Sequence, residues 1–148
     1  MTHLVAITGV RHAPKTALAQ ALIDQLASGG HDVTLLDNGE VPFEVDSVTR
    51  QRLAGGCVCC SLAGSLLPVV WRLKSSYAIL ITSAMTDPEI LDRLLKTFRG
   101  THIHVKTFAV IDGDTVVRFS HLARKLHFYS TVVFDEPFDF SEVGNAIL

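Results

Sequence analysis

The sequence predicts a three-layer α/β fold with a mainly parallel sheet of about five strands, and three observations lead there. Short apolar runs alternate with stretches of helical period along the whole chain. The runs are near-continuously apolar, in a chain that is 48% apolar, as strands buried on both faces require. Strand and helix signals then follow one another in strict turn, the order that builds crossover units.

The first run, "HLVAIT" over 3–8, is a buried strand. A loop leads to a helix over about 15–28, where Ala17, Leu18, Ala21, Leu22 and Leu26 recur at helical spacing and "SGG" stops it. "HDVTLLD" over 31–37 is the second strand, followed by a less regular stretch to Gly56. A helix is predicted near 62–74, and "YAILITS" over 77–83 is the third strand. "DPEILDRLLKTF" is a helix with Asp87 at the N-cap and Pro88 at the first helical position. "HVKTFAVID" over 104–112 and "STVVF" over 130–134 complete the strands, with a helix between them. No repeat, low-complexity segment or linker interrupts residues 1–148, which are read as one domain.

A net charge of −2 and interleaved charges leave no basic stripe for a nucleic-acid backbone. The amino terminus lacks the basic start and long apolar core of a signal peptide, and no run approaches the roughly 20 apolar residues that span a bilayer. A cytoplasmic protein is expected, with reduced thiols.

In such a sheet ligands collect at the carboxyl ends of the strands. The first end reads "GVRHAPKT" over 9–16. Against the phosphate-loop pattern G-x-x-x-x-G-K-[ST], Gly9, Lys15 and Thr16 match, while Pro14 replaces the second glycine. Proline removes one N–H donor and fixes φ where glycine would be free. Lys15 is positioned to contact a phosphate and Thr16 to reach magnesium, with Arg11 and His12 as compensating donors. The plainer alternative is that Pro14 starts the helix and Lys15 is solvated.

All three cysteines fall in "GGCVCCSL", behind two glycines. Thiolates are soft donors that suit zinc, cobalt or copper(I), and tetrahedral zinc takes four ligands. Cys57, Cys59 and Cys60 supply at most three. The local backbone must turn for them to converge, and Gly55 and Gly56 permit that. An open fourth position suits a metal in transit better than a closed structural site. Packing as small hydrophobes, redox activity and a metal shared by two chains are the competing readings.

With both motifs in one chain, the sequence resembles the GTPase domain of the CobW-like metallochaperones, relatives of HypB and UreG. Gly56, Cys57, Val58, Cys59 and Cys60 match the family's Gly-Cys-x-Cys-Cys motif, and Ser61, Leu62 and Gly64 the residues after it. Asp37, Gly39 and Glu40 echo the family's Asn-Glu-x-Gly-Glu segment. Thr82, Ser83, Asp87 and Pro88 match Glu-Thr-Ser-Gly-x-x-Asp-Pro, with Ile81 in place of the acidic residue and Ala84 in place of the glycine. "VIDG" ending at Gly113 parallels Val-Val-Asp-Ala. The family's guanine-reading Asn-Lys-x-Asp is replaced by "VVFDEPFD", where Asp139 is the best candidate for the base-reading carboxylate. The resemblance implies a P-loop NTPase-like fold, without the family's carboxy-terminal domain, that has kept the cysteines and relinquished much of its GTP hydrolysis.

His102 and His104, spaced i, i+2 and expected to face one side, are a lesser metal-binding pair, with a solvated strand edge as the plainer reading. Asp112, Asp114 and Arg118 read as helix-capping groups. The expected function is therefore metal binding, most readily of zinc, through Cys57, Cys59 and Cys60. The expected partners are a metal ion, a nucleotide such as GTP with magnesium, and a second copy or a metalloprotein client. A working GTPase or ATPase and a non-catalytic interaction module are the alternatives.

Overall fold

A computed structural model describes every residue except Ser47, Cys60, Ser61, Glu142 and Leu148. The chain runs β1 (Thr2–Thr8), α1 (His12–Ser28), β2 (Val33–Asp37), β3 (Thr49–Arg52), α2 (Ala63–Trp71), β4 (Tyr77–Ile81) and α3 (Pro88–Leu95). A 3₁₀ turn (Lys96–Phe98), β5 (Ile103–Ile111), α4 (Gly113–Arg118), α5 (Ser120–Tyr129), β6 (Val132–Asp135) and α6 (Gly144–Ile147) follow. The sheet has six strands in the order β3-β2-β4-β1-β5-β6, and every pairing is parallel.

Side-chain alternation along the strands divides the core into its layers. Val5 and Ile7 of β1 face one side with Leu35, Ile79 and Phe108, where α1 covers them through Leu18, Leu22 and Leu26. Leu4 and Ala6 face the other side with Leu36, Ala78 and Leu80, under Leu66 and Val70 of α2 and Leu91 and Leu95 of α3. Ala123 and Leu126 of α5 extend that cover over Ala109 and Ile111. All five residues of β4 are buried, which explains why the central strands read as continuous apolar runs.

Three expectations need correction. The sheet has six strands, because the stretch after Asp37 read as irregular contains β3. That strand, "TRQR", pairs with β2 at the sheet edge and is half exposed, so it lacks the apolar run by which the others were found. Helix α1 begins at His12, three residues before the expected start. The single helix expected before the last strand is two, α4 and α5, meeting at Phe119. Elsewhere the capping chemistry holds: the Asp87 carboxylate accepts the N–H groups of Glu89 and Ile90, and Asp112 caps α4 by accepting from Thr115. Among the described residues no helix is long and apolar enough to cross a membrane.

Candidate functional site

The carboxyl ends of β1, β2 and β4 bring three short loops together. After β1 only Gly9, Val10 and Arg11 precede α1. Gly9 has φ +154°, and a Cβ there would lie 2.7 Å from the Val110 carbonyl oxygen, so β1 turns away from β5 through a point where no side chain fits. Pro14 is the third residue of α1. First-turn N–H groups have no partner within a helix, so its missing donor costs the helix nothing.

Lys15 is fully buried, so the alternative of a solvated lysine does not hold. Its Nζ donates 2.8 Å to the Thr82 carbonyl at the end of β4 and lies 3.4 Å from Glu40 Oε1. Burial pushes the Lys15 ammonium below its ordinary value against the opposing pull of Glu40 and Asp37. Burial by itself would raise the Glu40 carboxyl. Hydrogen bonding from backbone amides and the Lys15 charge outweigh it and hold the carboxyl below the usual range. Glu40 also accepts from the Ala84 N–H and lies 3.2 Å from His12 Nδ1. The Thr16 hydroxyl turns back onto its own helix and donates 3.0 Å to the Ala13 carbonyl. Arg11 reaches across to Asp112 at 3.4 Å. Of the nucleotide-site candidates, His12 and Lys15 thus meet on Glu40, while Arg11 and Thr16 are engaged elsewhere. Asp139 accepts the Ser141 N–H in an exposed turn and borders a hollow of about 410 Å³ with Val132 and Phe134.

The cysteine loop is clamped by a residue that pattern reading passed over. Asn38, 3% exposed at the end of β2, donates 2.8 Å to the carbonyls of Leu53 and Gly56 and accepts from the Val58 N–H at 3.2 Å. Gly55 and Gly56 have φ of 95° and 151° and make the turn that the doublet was expected to allow. Cys57 Sγ then lies 3.4 Å from Thr86 Oγ1 and accepts the Cys59 N–H at 3.3 Å. Cys59 Sγ accepts the Asp87 N–H at 3.4 Å, just ahead of α3. Burial would raise the Cys57 thiol, but hydrogen bonds from Cys59, Thr86 and Ser83 outweigh it and lower it below the ordinary thiol value.

Cys57 and Cys59 are therefore neighbours, and both pack against the apolar layer under α2 and α3. Cys60 lies outside the described residues. Cys57 also borders a hollow of about 440 Å³ shared with Asn38, Arg52, Leu53, Ser83 and Met85. Among the described residues no group of three His, Cys, Asp or Glu side chains is arranged to hold a metal. Two thiols fit a soft cation in chemistry but do not complete a tetrahedral set.

His102 and His104 do not act as a pair. His102 precedes β5, so strand alternation does not apply to it. Its ring lies 5.8 Å from Trp71, whereas His104 lies 5.6 Å from His3.

No family model matches the chain, and a search of curated proteins finds no match. Solved structures do resemble it. The signal recognition particle receptor FtsY from Elizabethkingia anophelis is 16% identical with a TM-score of 0.55, covering 91% of this chain and 50% of its own. This chain thus spans about half the length of that receptor. A de novo designed protein with a P-loop NTPase fold is 14% identical with a TM-score of 0.54, covering 99% of this chain and 90% of its own. The hydrogenase maturation factor HypB from Archaeoglobus fulgidus is 8% identical over 90% of this chain and 80% of its own, with a TM-score of 0.46, a level on which no inference rests. The fold is that of the P-loop NTPases.

Proposed function

We propose that the chain is a CobW-like metal-handling domain that carries a thiophilic divalent cation, zinc first among them, on Cys57, Cys59 and Cys60. One observation carries the reading: Cys57 and Cys59 sit together at the carboxyl end of the sheet, each sulfur accepting a backbone N–H, with Cys57 bordering an open hollow. Amide donors to sulfur stabilise the anionic form that a metal requires. The Asn38 clamp and the glycine doublet favour the same end, since they hold the loop in a turn that brings alternate residues to one place. The cation is cargo, and its remaining coordination would come from Cys60 and from water or a client protein. Elemental analysis of the reduced protein as purified tests this, with about one bound zinc expected and none in a C57S/C59S/C60S variant.

A second reading keeps nucleotide binding, with Lys15 toward phosphate, Thr16 toward magnesium and Asp139 toward the base. The position of Lys15 between β1 and β4 favours it. Its present engagement with Glu40 and Thr82, and that of Thr16 with Ala13, make the affinity weak. Calorimetric titration with GTP or ATP and magnesium, repeated on Lys15→Ala, separates it from the first.

A further inference from the structure

Three donors from two elements, two on the first turn of α1 and one in the segment after β4, converge on one side chain. Lys15 Nζ from α1, the His12 ring one turn earlier and the Ala84 N–H after β4 all meet the Glu40 carboxylate. An ammonium, a ring nitrogen and a backbone N–H around one point form a receptor for an oxyanion. Here the oxyanion comes from the chain itself. We infer that Glu40 is an internal plug, an intrachain anion occupying the place a phosphate group would take, and that an oxyanion ligand binds only when this carboxylate leaves.

The loop that delivers Glu40 is built for the purpose. Asp37, fully buried at the end of β2, accepts the Gly39 N–H at 3.0 Å and the Phe43 N–H at 2.7 Å, closing the turn between them. Arg52 of β3 holds the same carboxylate at 3.1 Å. Glu40 stands at the outer side of that turn with its side chain 36% exposed, while Lys15 has no exposed surface. The lysine therefore has no face free for an external anion while Glu40 is in place, and Glu40 has an open route to solvent. Leaving the lysine buried without a counter-charge is unfavourable, so the open form is a small fraction of the molecules until another anion takes the place of Glu40.

A pyrophosphate group carries more charge and more acceptor oxygens than one carboxylate, and it is the chemical class the three donors suit. The observed affinity for such a ligand is its intrinsic affinity multiplied by the fraction of molecules with the plug open. The inference rests on the phosphate-site half of the reading above and is independent of the cysteines.

Titration of the full chain with inorganic pyrophosphate tests it. Glu40→Gln, which keeps the shape and removes the charge, should bind about tenfold more tightly than the parent chain. Adding Lys15→Ala to Glu40→Gln should abolish the gain. Equal or weaker binding by Glu40→Gln, or no binding by either protein into the millimolar range, would overturn the plug. In the unsubstituted chain, which needs no variant to fold, saturating pyrophosphate should move the Ala84 amide resonance. Saturation with that resonance unmoved would also overturn it. A zinc titration is blind to all of these outcomes, so failure here and failure of the metal reading are told apart.

Discussion

Asn38 at the end of β2 and Val58 in the cysteine loop are joined by a hydrogen bond of 3.2 Å, and the same buried amide also holds the carbonyls of Leu53 and Gly56. One side chain thus ties the sheet to the loop that presents the thiols. Asn38→Ala leaves a buried N–H and two carbonyls without this partner, at about 2–3 kcal/mol of unfolding free energy. Urea denaturation measures the loss. Hydrogen exchange at the Val58 amide should speed up by more than the global destabilisation explains, whereas exchange in β4 should follow the global change alone.

The acid limb of the stability curve follows from carboxylates that the fold holds ionised. Burial would raise Asp112, but hydrogen bonds from Thr115 and Arg11 bring it below the ordinary carboxylate range. A carboxyl lowered on folding stabilises the native state above its unfolded pKa and loses that contribution as pH falls toward its folded one. Asp87 and Glu40, also lowered, act in the same direction. Asp112→Asn retains a capping side chain and should cost about 1–2 kcal/mol at neutral pH. The gap between its melting temperature and the parent's should then shrink below about pH 5. Melting curves whose separation does not change with pH would count against the assignment.

Gly9→Ala should be disproportionately harmful for a single methyl group. The added carbon meets the Val110 carbonyl oxygen and Val110 Cγ2, each at 2.7 Å, in a φ that L residues avoid. Because one of those atoms is backbone, the clash is relieved only by parting β1 from β5, at about 2–4 kcal/mol. Chemical denaturation reads this directly, and a loss within a few tenths of the parent value would contradict it.

What the residues disclosed in advance follows from burial. β1, β2, β4 and the inner half of β5 lie between two helical layers, so their apolar runs were visible without any partner being known. β3 is stabilised by pairing with β2 and is half exposed, and a polar tetrapeptide carries no such mark. Asp87 and Asp112 could be placed because capping is local chemistry. The burial of Lys15 could not be foreseen, and its carboxylate partner, Glu40, lies 25 residues away in the chain. The motif placed Lys15 at the strand ends, but only the fold shows an internal carboxylate already opposite it. Asn38 was passed over for a related reason: an asparagine after a strand reads as a turn residue, and its partners lie 15 to 20 positions further on. The cysteine cluster was legible as a group, and Cys57 and Cys59 do come together, with Cys60 outside the described residues.

The central claim is that the cysteine loop holds a soft cation. Competition of the reduced chain against a zinc chelator of known affinity measures it most directly, run beside the C57S/C59S/C60S variant. The account predicts one zinc per chain for the parent, with an affinity at least about a hundredfold above that of the variant. Indistinguishable affinities, in two proteins that melt alike, would contradict it.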